Sequence, residues 1–251
     1  MGYVRNHLAT LVSGVWAVVL TGLYFPLVDF APQLQFVFIM AVPIMWFMVF
    51  VCWIAQLAAD RNHGADHSHD EKKNNELTEK EISTSLDETM VKNGADGTAF
   101  ETIIAAGSNS ARPHARPGDR TLSEGDLVVC DMGALYKGYR SDMTRSTRIG
   151  GTGTGKPAEM LEVVLEAQKA GLSTVKEGVP NSEVDSACRK VLQEAGLEEA
   201  FTHGTGHGVG LDIHEAPTLS GISTDTLRAG QVVTVEPGVY LPDVGGVRWE
   251  D

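Results

Sequence analysis

The second half of this 251-residue chain repeats the first as a pattern of residues. A helix signal from Thr78 to Gly94, followed by Phe100, lies over one from Asn181 to Gly196, followed by Phe201. His114-Ala-Arg-Pro117 lies over His214-Glu-Ala-Pro217. Thr121-Leu-x-x-Gly125-x-x-Val-x-x-Asp131-x-Gly133 lies over Thr226-Leu-x-x-Gly230-x-x-Val-x-x-Glu236-x-Gly238, and Gly138-x-Arg140-x-Asp142 over Gly246-x-Arg248-x-Glu250. Repetition of a unit built from a helix and a hairpin restricts the fold to two equivalent halves of mixed α+β structure, related by a pseudo-two-fold axis.

Each half then delivers one carboxylate at a strand end and another on its hairpin partner. Leu127 to Cys130 is an apolar run that reads as a buried strand, and Tyr136-Lys137-Gly138 reads as its turn, because glycine tolerates positive φ. Pairing Leu135 with Gly138 puts Asp131 directly across from Asp142, with Cβ atoms about 5 Å apart. Two ionised carboxylates that close either share a proton or bracket a cation. Any one acidic residue is best read as surface. The recurrence at Glu236 and Glu250 changes that reading, because four converging carboxylates need compensating charge. A pair of divalent cations supplies it, and oxygen ligands with one imidazole suit Mn²⁺, Co²⁺ or Zn²⁺ better than Cu(I). The imidazole comes from His203-Gly-Thr-Gly-His207-Gly-Val-Gly-Leu-Asp-Ile-His214, in which His207 sits among glycines that leave room for a metal.

Upstream the chain is different in kind. Residues 1–60 hold three of the four Trp and six of the eight Phe and carry a formal charge of −1, leaving −12 of the total −13 to the remainder. Apolar runs at Leu8–Tyr24 and Gln35–Leu57 each approach the roughly 20 residues needed to cross a bilayer. Arg5 precedes them, and Arg61, Lys72 and Lys73 follow, so a transmembrane hairpin over residues 8–57 would leave both ends in the cytoplasm. A signal peptide fits less well, since no small-residue cleavage site follows the first run. Residues 61–76 form a polar linker whose His63, His67 and His69 read as a solvated tether rather than a metal site. The acidic remainder disfavours nucleic acid as a partner. Three scattered cysteines, Cys52, Cys130 and Cys188, fit a reducing compartment.

The other motifs read as framework. Thr78-x-x-Glu81 is a capping box, with Ile82, Leu86 and Met90 on one face of the helix it opens. Gly150 to Lys156 resembles a phosphate loop, but Pro157 stands where the magnesium-binding hydroxyl belongs. Pro157 instead reads as the first residue of a helix that stops near Gly178. Asn181 or Ser182 caps the next, whose stripe of Val184, Ala187, Cys188, Val191, Leu192 and Ala195 faces a core. Phe100–Ala106, Gln231–Val235 and Gly246–Trp249 read as strands.

Over residues 77–251 these motifs resemble the pita-bread metallopeptidases, the group that includes aminopeptidase P, prolidase and methionine aminopeptidase. The resemblance implies a dinuclear centre with Asp131, Asp142, His207, Glu236 and Glu250 as ligands, Mn²⁺ being the first expectation and Co²⁺ or Zn²⁺ the others. It implies His114 and His214 as histidines that contact substrate and the tetrahedral intermediate, and His203 and Arg248 as accessory groups. Gly210-Leu-Asp-Ile-His-Glu215 and Val247-Arg-Trp-Glu-Asp251 are closer to prolidase or aminopeptidase P than to methionine aminopeptidase. The activity implied is hydrolysis of Xaa-Pro bonds by a metal-bridged hydroxide, with Glu236 as proton shuttle and a proline-containing peptide as partner; a homodimer is compatible with it. A methionine aminopeptidase-like exopeptidase and a non-catalytic, membrane-tethered peptide-binding module are the alternatives. Ser146 and Trp249 stand where the family more often has Thr and Ile. The family's additional helix before Thr78 is replaced here by the apolar pair, and the chain ends at Asp251, so a domain shortened at both ends is expected, with Glu250 deprived of the strand that would hold it.

Overall fold

The computed structural model describes residues 77–251; the expected membrane hairpin and the His-rich linker lie outside the described residues. Among the described residues, no helix is long and apolar enough to cross a membrane.

The first half opens with α1 (Glu79–Lys92). Its start is the capping box expected from Thr78-x-x-Glu81: the Thr78 hydroxyl accepts from Glu81 N at 3.1 Å, and the Glu81 carboxylate accepts from Thr78 N at 2.8 Å. Ile82 and Leu86, four apart, bury one face. After it come β1 (Gly97–Thr98), β2 (Ile103–Ala106), β3 (Leu127–Met132), β4 (Ala134–Tyr136), β5 (Tyr139–Arg140) and β6 (Met143–Arg148). They form two antiparallel sheets of order β2-β3-β6 and β1-β4-β5. Lys137 and Gly138, at φ 51° and 86°, make the two-residue turn between β4 and β5.

The second half holds α2 (Lys156–Thr174), α3 (Asn181–Glu194), β7 (Gly206–Gly208), β8 (Glu215–Leu219), β9 (Gly238–Leu241) and β10 (Gly245–Arg248), with β7 paired to β8 and β9 to β10. The two halves repeat the same local bonding. Thr78 bridges Thr121 as Pro180 bridges Thr226. Leu122 N donates to Leu77 O at 3.1 Å as Leu227 N donates to Val179 O at 2.9 Å, and Glu79 N to Arg120 O as Asn181 N to Asp225 O. In each half the start of a helix is thus tied to the segment entering the hairpin that carries the carboxylates.

Met160, Val164 and Ala167 of α2 meet Val184, Cys188 and Leu192 of α3 over Val235, Val239 and Val247, and Leu127 joins them from β3. The helices approach closely at Gly171, where a Cβ would stand 2.5 Å from Cys188 Sγ. This shared apolar layer gives the β9–β10 hairpin a rigid backing.

Several expectations need correction. Leu135 pairs with Arg140, so Thr144, not Asp142, stands opposite Asp131. The slip is two residues, and since side chains alternate with period two, Asp142 keeps its face. In the second hairpin Gly238 pairs with Arg248, a register whose continuation sets Glu236 across from Glu250, the arrangement expected for both. The strand expected over Phe100–Ala106 begins only at Ile103, and Gln231–Val235 has a single bridge, Val233 to Gly208, in place of a ladder. Lys156 precedes Pro157 in α2, which ends at Thr174. Pro180 is the cap of α3; Asn181 is its first residue, fully buried, with its amide donating to Thr218 O and Ser223 Oγ.

Candidate metal centre

β6 begins immediately after Asp142, β7 centres on His207, and Glu250 lies two residues past β10. One carboxylate or imidazole ligand atom from each of these three lies within 4.8 Å of the others. His207 Nε2 is 3.6 Å from Asp142 Oδ2 and 3.5 Å from Glu236 Oε1. The Nδ1 of the same ring is 2.9 Å from Gly208 O. A carbonyl can only accept, so Nδ1 carries the proton and Nε2 turns its lone pair toward the carboxylates, the form in which imidazole binds metals.

The glycines around His207 have a stricter role than leaving space for an ion. A Cβ on Gly206 would stand 2.0 Å from Thr234 O, and one on Gly208 would stand 2.3 Å from Ala216 O. β7 is squeezed between two backbone segments, and this holds His207 in place.

Glu250 is 2% exposed and is fixed from several directions. Its carboxylate accepts from Thr144 Oγ1 at 2.6 Å, and its N donates to Thr144 O at 3.1 Å. The next residue, Asp251, receives Arg145 and Gln168 on its carboxylate and Val235 N on its carbonyl. Contrary to the expectation that Glu250 lacks support, it is held by Thr144 on β6, and the residue beside it by Arg145, Gln168 and the backbone of Val235.

Asp131 is held differently. Arg248 Nη2 donates to its Oδ2 at 2.6 Å, while Oδ1 is buried without a hydrogen-bond partner. The same guanidinium donates from Nε to Thr144 Oγ1, and from Nη1 to Pro113 O and to Tyr240 Oη at 2.8 Å. A guanidinium only donates, so Tyr240 Oη accepts there and must give its own hydrogen to His203 Nε2, 3.0 Å away. The His203 proton then sits on Nδ1 and goes to Gly204 O at 2.9 Å. Burial pushes the His203 imidazole down to about 4, and it stays neutral in this network. Burial also pushes the Tyr240 phenol up to about 12, so it remains a donor.

The carboxylates strain against one another. Burial first, then the charges of Glu250 and Asp131, push Asp142 up to about 9. Glu250 rises to about 7 through burial and the Asp131 charge. Glu236 is raised well above the ordinary range by burial and Glu250, and Asp131 is raised by burial against the opposing pull of Arg248. A buried group of acids that resists ionisation, with one orphaned acceptor oxygen and an imidazole lone pair beside it, fits divalent cations as the missing counter-charge. Asp142, His207 and Glu250 could hold one ion directly, with Asp131 and Glu236 adjoining.

The remaining expected residues lie at the rim. His214 is exposed, with its ring 4.4 Å from that of His207. His114 is exposed on the loop that Arg248 grips through Pro113 O. Two contributors escaped the sequence reading, Thr144 and Tyr240. Thr144 had only a weak signal: it follows Asp142 by two residues and so shares its face, on a strand that is polar on both faces. Tyr240 had none, since an aromatic residue on a hairpin strand reads as packing.

The chain matches the model of metallopeptidase family M24 over residues 56–251. It is 47% identical over 173 residues to an Xaa-Pro dipeptidase of Pyrococcus horikoshii, covering 69% of this chain and 49% of that protein. Among solved structures, the prolidase from Pyrococcus furiosus superposes with a TM-score of 0.69 at 41% identity, covering 79% of this chain and 56% of that one. An X-Pro aminopeptidase from Thermotoga maritima gives 0.67 at 39% identity, with 78% and 54% covered. The chain spans about half the length of these relatives. With a match of this extent over the segment that builds the centre, the chain belongs to metallopeptidase family M24.

Proposed function

We propose that this protein hydrolyses the peptide bond between an amino-terminal residue and a following proline, as an Xaa-Pro dipeptidase or Xaa-Pro aminopeptidase. The observation that carries the proposal is the convergence of Asp142, His207 and Glu250 ligand atoms within 4.8 Å, in a chain similar to an Xaa-Pro dipeptidase. Asp131, Asp142, His207, Glu236 and Glu250 would hold two divalent ions, Mn²⁺ first, with Co²⁺ or Zn²⁺ as alternatives. Such ions supply Lewis-acid polarisation of a carbonyl and water acidified toward neutrality.

The chain's own residues do the rest. Glu236, beside the reacting centre, takes a proton from the attacking water and passes it to the leaving proline nitrogen. His214, exposed beside His207, donates to the oxyanion that develops on the scissile carbonyl. His114 contacts substrate from the opposite half. Arg248 and His203, joined through Tyr240, keep this wall of the site rigid and fixed in protonation. Asp142→Ala and His207→Ala in metal-loaded protein are expected to abolish hydrolysis of Xaa-Pro dipeptides and longer Xaa-Pro peptides. Full activity in either variant would sink the assignment.

The apolar runs within residues 8–57, flanked by Arg5 and by Arg61, Lys72 and Lys73, support a membrane tether with the catalytic part on the cytoplasmic side. Release of the full chain from membranes by a carbonate wash would remove that part of the proposal.

A further inference from the structure

Arg140 occupies, in Gly138-x-Arg140-x-Asp142, the place that Arg248 occupies in Gly246-x-Arg248-x-Glu250. The two arginines have diverged in what they hold. Arg248 turns inward onto Asp131, Thr144 and Tyr240. Arg140 reaches into the other half of the molecule, to the loop between β7 and β8. Its backbone N donates to Gly210 O at 2.8 Å, its Nε donates to Leu211 O at 3.2 Å, and its Nη1 donates to Ala99 O.

That loop delivers His214 to the rim of the centre. Its start is tied by Val209 N, which donates to Val232 O at 3.2 Å, while Gly210 N to Asp212 O at 3.1 Å and Asp212 N to Glu215 Oε2 at 3.3 Å are internal and shape the loop beyond that point without anchoring it. Arg140 ties it to the strand end that presents Asp142 two residues later. A planar guanidinium can serve carbonyls on two sides at once, and a lysine ammonium on a flexible stem cannot hold both in a fixed relation.

We infer that Arg140 is a positioning residue: it fixes the loop of residues 209–214 so that His214 stands in register with Asp142 and His207. The kinetic consequence rests on the Xaa-Pro hydrolysis proposed above, and the structural consequence does not.

The test uses Arg140→Met and Arg140→Lys in the full, metal-loaded chain. Amide hydrogen exchange in residues 209–214 is expected to accelerate by about tenfold or more in Arg140→Met while β3 and β6 keep their protection. kcat on an Xaa-Pro dipeptide is expected to fall about 100-fold, the scale of a misplacement near 1 Å, with metal content unchanged and Arg140→Lys restoring only part of the loss. Added to His214→Ala, Arg140→Met should cost less than about twofold more, because both changes remove one function. Unchanged exchange in the loop, loss of bound metal, or multiplicative losses in the double variant would each overturn the inference. If Arg140→Met does not fold, Arg140→Lys carries the same three measurements with smaller effects. A wild-type protein that binds metal and hydrolyses no Xaa-Pro peptide overturns the functional proposal instead, and loop exchange then decides the role of Arg140 alone.

Discussion

Arg248 Nη2 lies 2.6 Å from Asp131 Oδ2, and the other oxygen of the same carboxylate is buried with no hydrogen-bond partner. Asp131 is therefore half neutralised by the protein and half left for something else. Removing the guanidinium leaves a buried acid with no counter-charge, a change that typically costs about 3–5 kcal/mol. A bound cation replaces part of that counter-charge. Arg248→Met is accordingly expected to destabilise the chelated protein by several kcal/mol (about 3–5) and the metal-loaded protein by clearly less. Chemical denaturation with and without chelator measures both. An equal loss in the two forms would show that no cation compensates Asp131.

The acids of the centre set the pH dependence of the metal-free protein. Asp142 is raised from 3.8 to about 9 and Glu250 from 4.5 to about 7 in the folded state, so the folded chain holds protons that the unfolded chain has released. Their contribution to stability is complete below about pH 4 and is lost as pH rises through about 7 and then about 9. His203 has the opposite sign: depressed from 6.5 to about 4, it contributes above the unfolded value and loses that contribution as pH falls toward about 4. Metal ions compete with the carboxylate protons, so metal binding strengthens over the same rise in pH. The difference in melting temperature between metal-loaded and chelated protein should widen steadily from about pH 5 to about pH 9. A constant difference across that range would rule out coupling between carboxylate protons and the metal.

How much of this could be read beforehand depends on what carries the information. The four carboxylates and the two exposed histidines stand out in the sequence because the internal repeat marks each position twice, at Asp131 and Glu236, Asp142 and Glu250, His114 and His214, whereas His207 has no counterpart and stands out only as a histidine among glycines. Helix starts were legible where a side chain does the capping, as at Thr78, and misread at α3, where Pro180 precedes the helix and Asn181 is spent on Thr218 and Ser223. Register was legible only to a face. The turn at Lys137-Gly138 sets the pairing of Asp131 with Thr144, and a two-residue slip leaves each side chain of β6 on the same face. Tyr240 lay beyond reach because its role depends on two partners, Arg248 and His203, that come together with it only in the folded chain.

Gly206 offers a test of the packing that holds His207. Its φ is not in the left-handed region, so the obstacle to a side chain is space: an added Cβ would stand 2.0 Å from Thr234 O and 2.7 Å from Thr234 C. Backbone cannot move aside as a side chain can, and overpacking of this kind costs about 1–3 kcal/mol or more. Gly206→Ala is expected to lower stability by at least that amount and to weaken metal binding by displacing His207. By contrast, Gly178→Ala, at an open position, should cost only the strain of positive φ and leave metal binding alone. Equal metal affinity in the Gly206→Ala variant and the wild type, measured by competition with a chromophoric chelator, would show that β7 can shift without cost to the site.

Thr144 joins the two halves at the metal-facing end of β6, and its hydroxyl can be removed without changing its shape. Oγ1 donates to Glu250 Oε2 at 2.6 Å and accepts from Arg248 Nε at 3.1 Å, so Thr144→Val leaves one buried acceptor and one buried donor without partners. Each orphaned group costs about 1–3 kcal/mol. The larger effect falls on the ligand, because a carboxylate no longer held by its hydrogen-bond partner loses orientation; loss of such support typically reduces metal affinity about 10- to 100-fold. Thr144→Ser keeps the hydroxyl, so it should retain affinity near that of the wild type while losing some stability with the methyl group. Calorimetric titration of Mn²⁺ into the full-length wild type and both variants separates these effects. If Thr144→Val binds as tightly as Thr144→Ser, the hydroxyl does not orient Glu250, and burial alone holds that ligand.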